Sequence, residues 1–156
     1  MGWATTIKTG CKTVITANTT LDEASVYDRP EDPMDERPAT MQVFMRELPI
    51  KPNKVAGALR FKIYPIEFTL VFDEPKTRTD ETETDPIRAL KDEYNEALYA
   101  ALKTTNPWLS GKISDDVIQV DNVSRDLDPV IEPAILAKRG DLHRIRQVWD
   151  FSVNEN

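Results

Sequence analysis

Residues 58–102 read ALRFKIYPIEFTLVFDEPKTRTDETETDPIRALKDEYNEALYAAL, and this stretch decides the fold. Leu59, Phe61 and Ile63 stand at odd positions and Ile66, Phe68, Leu70 and Phe72 at even ones, with Pro65 at the change of parity. Alternation of this kind marks a strand with one apolar face. A proline brings no N–H to a ladder, so the sequence predicts a long, bent strand over Ala58–Phe72, with a bulge at Tyr64 and Pro65 that keeps the apolar side chains together. An acidic connector, Asp73 to Thr84, follows it. Asp85 then reads as the N-cap of a helix with Pro86 in the first helical position, where its missing N–H costs nothing. Ile87, Leu90, Tyr94, Ala97, Leu98, Ala101 and Leu102 give this helix a continuous apolar stripe, and Asn106-Pro107 ends it. Arg88, Lys91, Asp92, Glu93, Glu96 and Lys103 form its polar face.

Upstream, Thr40–Leu48 alternates Met41, Val43 and Met45 against Gln42, Phe44 and Arg46, which predicts a strand paired with the long one as an antiparallel hairpin. Pro49, Pro52, Asn53 and Gly57 supply the turn between them. Trp3–Ala17 places Trp3, Ile7, Cys11, Val14 and Ile15 on one helical stripe, although the threonines and Gly10 lower its helix propensity. Thr19–Arg37 reads as an acidic loop that holds at most one short strand, around Val26 and Tyr27. Downstream, Val117–Val123 alternates as a strand, and Val130–Leu136, interrupted by Pro133, reads as an irregular or edge strand. Leu142–Val153 sets His143, Ile145, Gln147, Trp149, Phe151 and Val153 opposite Arg144, Arg146, Asp150 and Ser152, and closes the sheet. The expected architecture is α+β: a mostly antiparallel sheet with one or two helices packed on one face, in one domain over residues 1–156.

Composition sets the outer bounds. A chain of 156 residues with 40% hydrophobic and 30% charged residues builds one modest core, and a domain of this size buries about 70% of its unfolded surface. No apolar run reaches the roughly 20 residues that cross a bilayer, and the N-terminus lacks a signal-peptide layout, so the chain is expected to stay in the cytoplasm that makes it. The lone Cys11 has no intramolecular disulfide partner, in keeping with a reducing compartment. The formal charge of −7 is unevenly placed. Acids crowd the loops at about 19–37 and 73–85, while Lys138, Arg139, Arg144 and Arg146 gather near the C-terminus. Such polarity suits neighbouring copies that meet through opposite charges, whereas nucleic-acid binding asks for a basic face that the chain lacks overall.

The inventory for catalysis is thin. His143 is the single histidine, Cys11 the single cysteine, and the five glycines are scattered, so neither a zinc set nor a phosphate loop is legible and no cofactor is expected. A Cys11–His143 nucleophilic pair would need the fold to bring the two together. Met1-Gly2 with Thr6 fits a myristoylation pattern without a second membrane signal. Asn18-Thr19-Thr20 and Asn122-Val123-Ser124 fit glycosylation acceptors without a secretory route. Arg139-Gly140-Asp141 reads as a turn, and Asp121, Asn122, Asp126 and Asp128 lack the glycine and terminal glutamate of a calcium loop.

The order of elements resembles the tail terminator proteins of long-tailed bacteriophages. The resemblance rests on Arg37-Pro38-Ala39-Thr40-Met41-Gln42-Val43-Phe44 opening the first strand after a helix and the acid-rich Asp22–Glu36 loop. The long Leu59–Phe72 strand, the Asp85–Thr104 helix and the closing Leu142–Val153 strand continue it. The chain departs from the pattern in its short, threonine-rich first helix and in the acidic Asp73–Thr84 insertion. The resemblance implies a virion structural protein: a ring, commonly hexameric, that caps the tail tube, stops its polymerisation and presents a surface to a neck or head-completion protein. It further implies DNA as passing cargo through an axial channel, with Asp80, Glu81 and Glu83 as channel-facing or inter-subunit acids. Lys138, Arg139, Arg144 and Arg146 would then be their basic partners on an adjacent subunit. Another neck or head-completion protein is the nearest alternative. A small enzyme or ligand-binding module remains a second class, in which Tyr64, Tyr94 or Trp149 would belong to either core or pocket.

Overall fold

The computed structural model describes residues 2–31, 41–56, 59–73, 86–107, 113–129 and 142–154. Its elements, in chain order, are α1 (Trp3–Ala17), β1 (Ser25–Tyr27), β2 (Gln42–Glu47), β3 (Lys51–Ala56), β4 (Leu59–Asp73), α2 (Pro86–Lys103), β5 (Val117–Asp126) and β6 (Leu142–Asn154). The fold is α+β. The sheet runs β1-β2-β4-β6-β5, and β3 pairs with the first part of β4. β1 joins β2 in parallel, and the other ladders are antiparallel.

β4 is the spine of the molecule, and two expectations about its surroundings are corrected. The stretch from Lys51 is not a turn: β2 and β3 follow one another along the same edge of β4, and Ala56 lies opposite Leu59, so only residues 57 and 58 separate the hairpin strands. Nor does a bulge occur at Tyr64 and Pro65. The β4–β6 register runs unbroken from Phe61 opposite Asn154 to Asp73 opposite Leu142. The irregularity lies instead in β3, between Lys51 and Lys54, where Pro52 interrupts the ladder.

The backbone at Pro65 explains the arrangement. The N–H of Leu48 donates to the carbonyl of Pro65 at 3.0 Å. A strand residue directs its N–H and C=O to the same edge, so the donor that Pro65 lacks is missing on the β2 side. Without the return bond β2 ends there, while the β6 side of β4 is untouched. The change of parity needs no bulge because both sheet faces take apolar residues. Tyr64, Ile66, Phe68, Leu70 and Phe72 join the core under the helices. Ile63 is buried on the opposite side, where Val71 packs with Phe44, Leu142 and Tyr27.

Both helices lie on one face, and their apolar stripes meet the same core. Ile7, Cys11 and Ile15 of α1 and Leu98 and Leu102 of α2 are fully excluded from solvent, together with Phe68, Leu70, Ile145, Phe151 and Val153 of the sheet. Each such side chain contributes about 1.5–3 kcal/mol relative to its exposed state, which outweighs the poor propensity of α1. Its threonines also return hydroxyl hydrogen bonds to carbonyls four residues back, Thr9 to Thr5 at 2.9 Å, Thr13 to Thr9 at 3.1 Å and Thr16 to Lys12 at 2.9 Å. Gly10 has a separate reason to be small. A Cβ there would lie 2.8 Å from Cγ1 of Ile113, so the glycine lets the segment before β5 pack directly on α1. The strand expected at Val130–Leu136 and the N-cap at Asp85 fall outside the described residues.

Candidate functional site

Of the residues singled out from the sequence, Asp80, Glu81, Glu83, Lys138 and Arg139 lie outside the described residues. Arg144 and Arg146 stand on β6, on the sheet face away from the helices, at register positions opposite Val71 and Thr69. Arg144 is buried, and its side chain grips Glu31 of its own chain through Nε at 2.9 Å and Nη2 at 2.7 Å. A bidentate pair of this geometry is strong and directional. It folds the segment after β1 back across the sheet, where the Arg29 guanidinium covers the stacked rings of Tyr27 and Phe44. The acidic loop and the basic strand therefore meet at Glu31 and Arg144 within one chain.

Arg146 is half-buried, and its Nε lies 3.6 Å from Glu67, whose other oxygen accepts from Arg46 Nη2 at 3.0 Å. One carboxylate thus serves two guanidiniums across β2, β4 and β6. At the far end of the same face Lys51 donates to Asp150 at 2.6 Å, and Asp150 lies opposite Asp121 on β5. This helix-free face thus combines ion pairs with the small apolar cluster of Phe44, Val71 and Leu142.

Tyr64 and Trp149 are buried in the core cluster and Tyr94 packs against it, with its ring edge-on to Phe72 at 4.9 Å. A polar cluster that the sequence did not announce ties α2 to β6. The Gln147 amide donates to the carbonyl and to the side-chain oxygen of Asn95 at 2.8 and 2.9 Å, and accepts from Trp149 Nε1 at 2.9 Å. The signal available was a glutamine among the apolar residues of the inward face of β6. A second such cluster is Lys8 of α1, buried against Asp28 and, at 3.2 Å, Glu47. Burial pulls its ammonium down, but the hydrogen bonds to the two carboxylates outweigh this and hold it above its ordinary value.

Other titratable groups have structural surroundings. Cys11 is fully buried, and burial pushes its thiol far above the usual range, which is the opposite of what a nucleophile needs. His143 lies beside Phe72, with ring centroids 5.4 Å apart. Burial, with Glu93 nearby, raises Tyr94. Hydrogen bonds from Lys91 and Arg88 lower Asp128, which joins the start of α2 to the exit of β5. Asp121, Asn122 and Asp126 belong to strand β5, so they do not form a calcium loop. Among the described residues no cluster of three or more His, Cys, Asp or Glu is placed to hold a metal ion. No described helix is long and apolar enough to cross a membrane.

A surface depression lies where the C-terminal ends of α1 and α2 converge. It is an open groove of about 320 Å³ lined by Val14, Ala17, Asn18, Ala100, Ala101 and Thr104. The Asn18 side chain fixes its floor by donating to the carbonyl of Ala97 at 3.3 Å. The lining holds no ionisable group, so its chemistry is that of a contact surface.

No family model matches this chain, and no curated protein sequence matches it. Among solved structures, a chain of the "Virion of native gene transfer agent (GTA) particle" superposes with a TM-score of 0.48 at 12% identity, over 97% of this chain and 94% of that one.

Proposed function

We propose that this chain is a virion structural protein, and within that class a tail terminator that forms a ring on the end of a tail tube. The order of its elements carries the reading. An N-terminal helix, an acid-rich loop, a strand opening, a long central strand, a second helix and a closing strand occur in the sequence, and α1, β2, β4, α2 and β6 follow that order. Two further features support it. The buried apolar side chains between helices and sheet are spent on core packing, and ion-paired groups such as Arg46, Lys51 and Arg146 stand on the helix-free face, where neighbours in an assembly would meet them.

On this reading Asp80, Glu81 and Glu83 face the channel or an adjacent subunit, and Lys138, Arg139 and Arg146 meet acidic groups of a neighbour. Arg144 contributes by holding its own chain's Glu31, which fixes the position of the acidic loop. The tail tube and a neck protein are the remaining partners, and DNA passes through. The test is the triple variant Asp80→Lys, Glu81→Lys, Glu83→Lys, imaged by negative stain with and without tail tubes. The expected result is rings from the native chain on tube ends and few or none from the variant, with unchanged circular dichroism. A native chain that stays monomeric in the presence of tubes would overturn the reading.

A further inference from the structure

We infer that residues 28–31 form a releasable strap, an autoinhibitory contact that covers an apolar patch of the helix-free face until a neighbouring copy displaces it; the neighbour's part in this rests on the ring reading above, the strap itself does not. β1 is parallel to β2, so the chain that joins them crosses a face of the sheet. The first part of that connection, Asp28 to Glu31, runs over the helix-free face from the end of β1 to Arg144 on β6. Beneath it the rings of Tyr27 and Phe44 stack with centroids 5.2 Å apart. Phe44 packs in turn with Val71 and Leu142, in an apolar cluster separate from the main core.

The strap brings no buried apolar anchor of its own. Asp28, Arg29 and Pro30 are exposed, and Arg29 covers the two rings with its guanidinium, 4.8 Å from the Tyr27 centroid and 5.4 Å from that of Phe44. Two buried cations hold the segment, one from each side of the sheet. Lys8 of α1 bonds Asp28, and Arg144 of β6 grips Glu31 through Nε and Nη2. Desolvation offsets much of the attraction in a buried ion pair, so a segment fixed by such pairs is easier to release than one fixed by apolar packing. Both latches act on the same short segment, and it therefore opens as a unit.

The closed position also leaves Arg144 incompletely matched. Its side chain is 2% exposed, yet Nη1 is buried without an acceptor. A neighbour that brings an additional acceptor to Arg144 offsets part of the cost of displacing Glu31. Lys8, for its part, keeps Glu47 at 3.2 Å when Asp28 leaves, so opening strands one cation and not two. Once open, the chain presents Tyr27, Phe44 and Val71 on the same face as the ion pairs of Arg46 and Arg146.

Thiol labelling of the full chain tests the strap without any assembly. Val71→Cys places a thiol in the covered cluster, and the native Cys11, fully buried in the main core, reports global unfolding in the same sample. Glu31→Gln and Asp28→Asn, each added to Val71→Cys, should both speed labelling of the introduced thiol on the order of tenfold while Cys11 labels as slowly as before. An introduced thiol whose rate neither change moves, or one that reacts only in step with Cys11, would overturn the strap. A second arm counts rings on tail tubes by negative stain, where Glu31→Gln should form them at several-fold lower protein concentration than the native chain. Equal concentrations alongside faster labelling would sink the inhibitory role. Native chains that form no rings on tubes would overturn the ring reading instead, and the labelling arm still decides the strap.

Discussion

At the scale of single residues, the sites that matter for stability are those where a small or polar side chain sits in an apolar setting. Gly10 looks like a weakness in a helix, since alanine is favoured there by about 1 kcal/mol. Its position against Ile113 reverses that preference, because the added Cβ must push branched side-chain carbons only 2.8 Å away. Gly10→Ala should therefore lower stability by about 1–2 kcal/mol, and in an Ile113→Ala background the same change should be neutral or stabilising; urea unfolding of the four chains measures this. Gln147 is the polar counterpart. Gln147→Leu leaves the Trp149 N–H and the Asn95 side-chain oxygen without their partners in the core, and should cost about 2–3 kcal/mol in the same measurement. Neither effect is legible from sequence alone, because both depend on which residue comes opposite from a distant element.

At the scale of elements, α1 shows tertiary packing overriding propensity. Its fully buried Ile7, Cys11 and Ile15 dock it on the sheet, and Lys8 on the same helix reaches two carboxylates, on the turn after β1 and at the end of β2. This tie has a pH signature. Its ammonium is held above the ordinary lysine value in the folded state, so the stabilisation is complete below about pH 10.5 and is lost as pH rises through the higher folded value. Because Asp28 and Glu47 are about half exposed, the contribution is on the order of 1 kcal/mol. Lys8→Met should lose this amount at pH 7 and show a flatter fall in thermal midpoint between neutral pH and pH 11 than the native chain. Asp128 works in the opposite direction, its carboxyl being lowered by Lys91 and Arg88. What it adds to the α2–β5 junction is present above the ordinary carboxylate range and fades as pH falls through the depressed value.

At the scale of the whole molecule, the Arg144–Glu31 pair joins residues 113 apart in sequence and fastens the acidic loop across the helix-free face. With Arg144 almost wholly buried, Glu31→Ala strands a cation and should cost about 3 kcal/mol, whereas Glu31→Leu with Arg144→Met should recover much of the loss; a double-mutant cycle in denaturant decides it. This pair also shows how far sequence reading reaches. The periodicities of Leu59–Phe72, Ile87–Leu102 and Leu142–Val153 settled the two main strands, the second helix and the inward faces of that helix and of the closing strand, because one buried face imposes period two or 3.6 on the chain; in Leu59–Phe72 they gave the inward face only from Ile66 onward, since Ile63 is buried on the other side. The missed strand over Lys51–Ala56 and the unbroken ladder at Pro65 share one cause: which edge of a strand a proline faces depends on the neighbouring strands, and the chain does not record that locally. The same holds for the functional surfaces. The sequence alone determined that acids crowd the loops and that Lys138, Arg139, Arg144 and Arg146 lie near the C-terminus. Only the folded arrangement paired Arg144 with Glu31 of its own chain, buried Gln147 against Asn95, and brought the ends of α1 and α2 together around a groove, since each joins residues far apart in sequence.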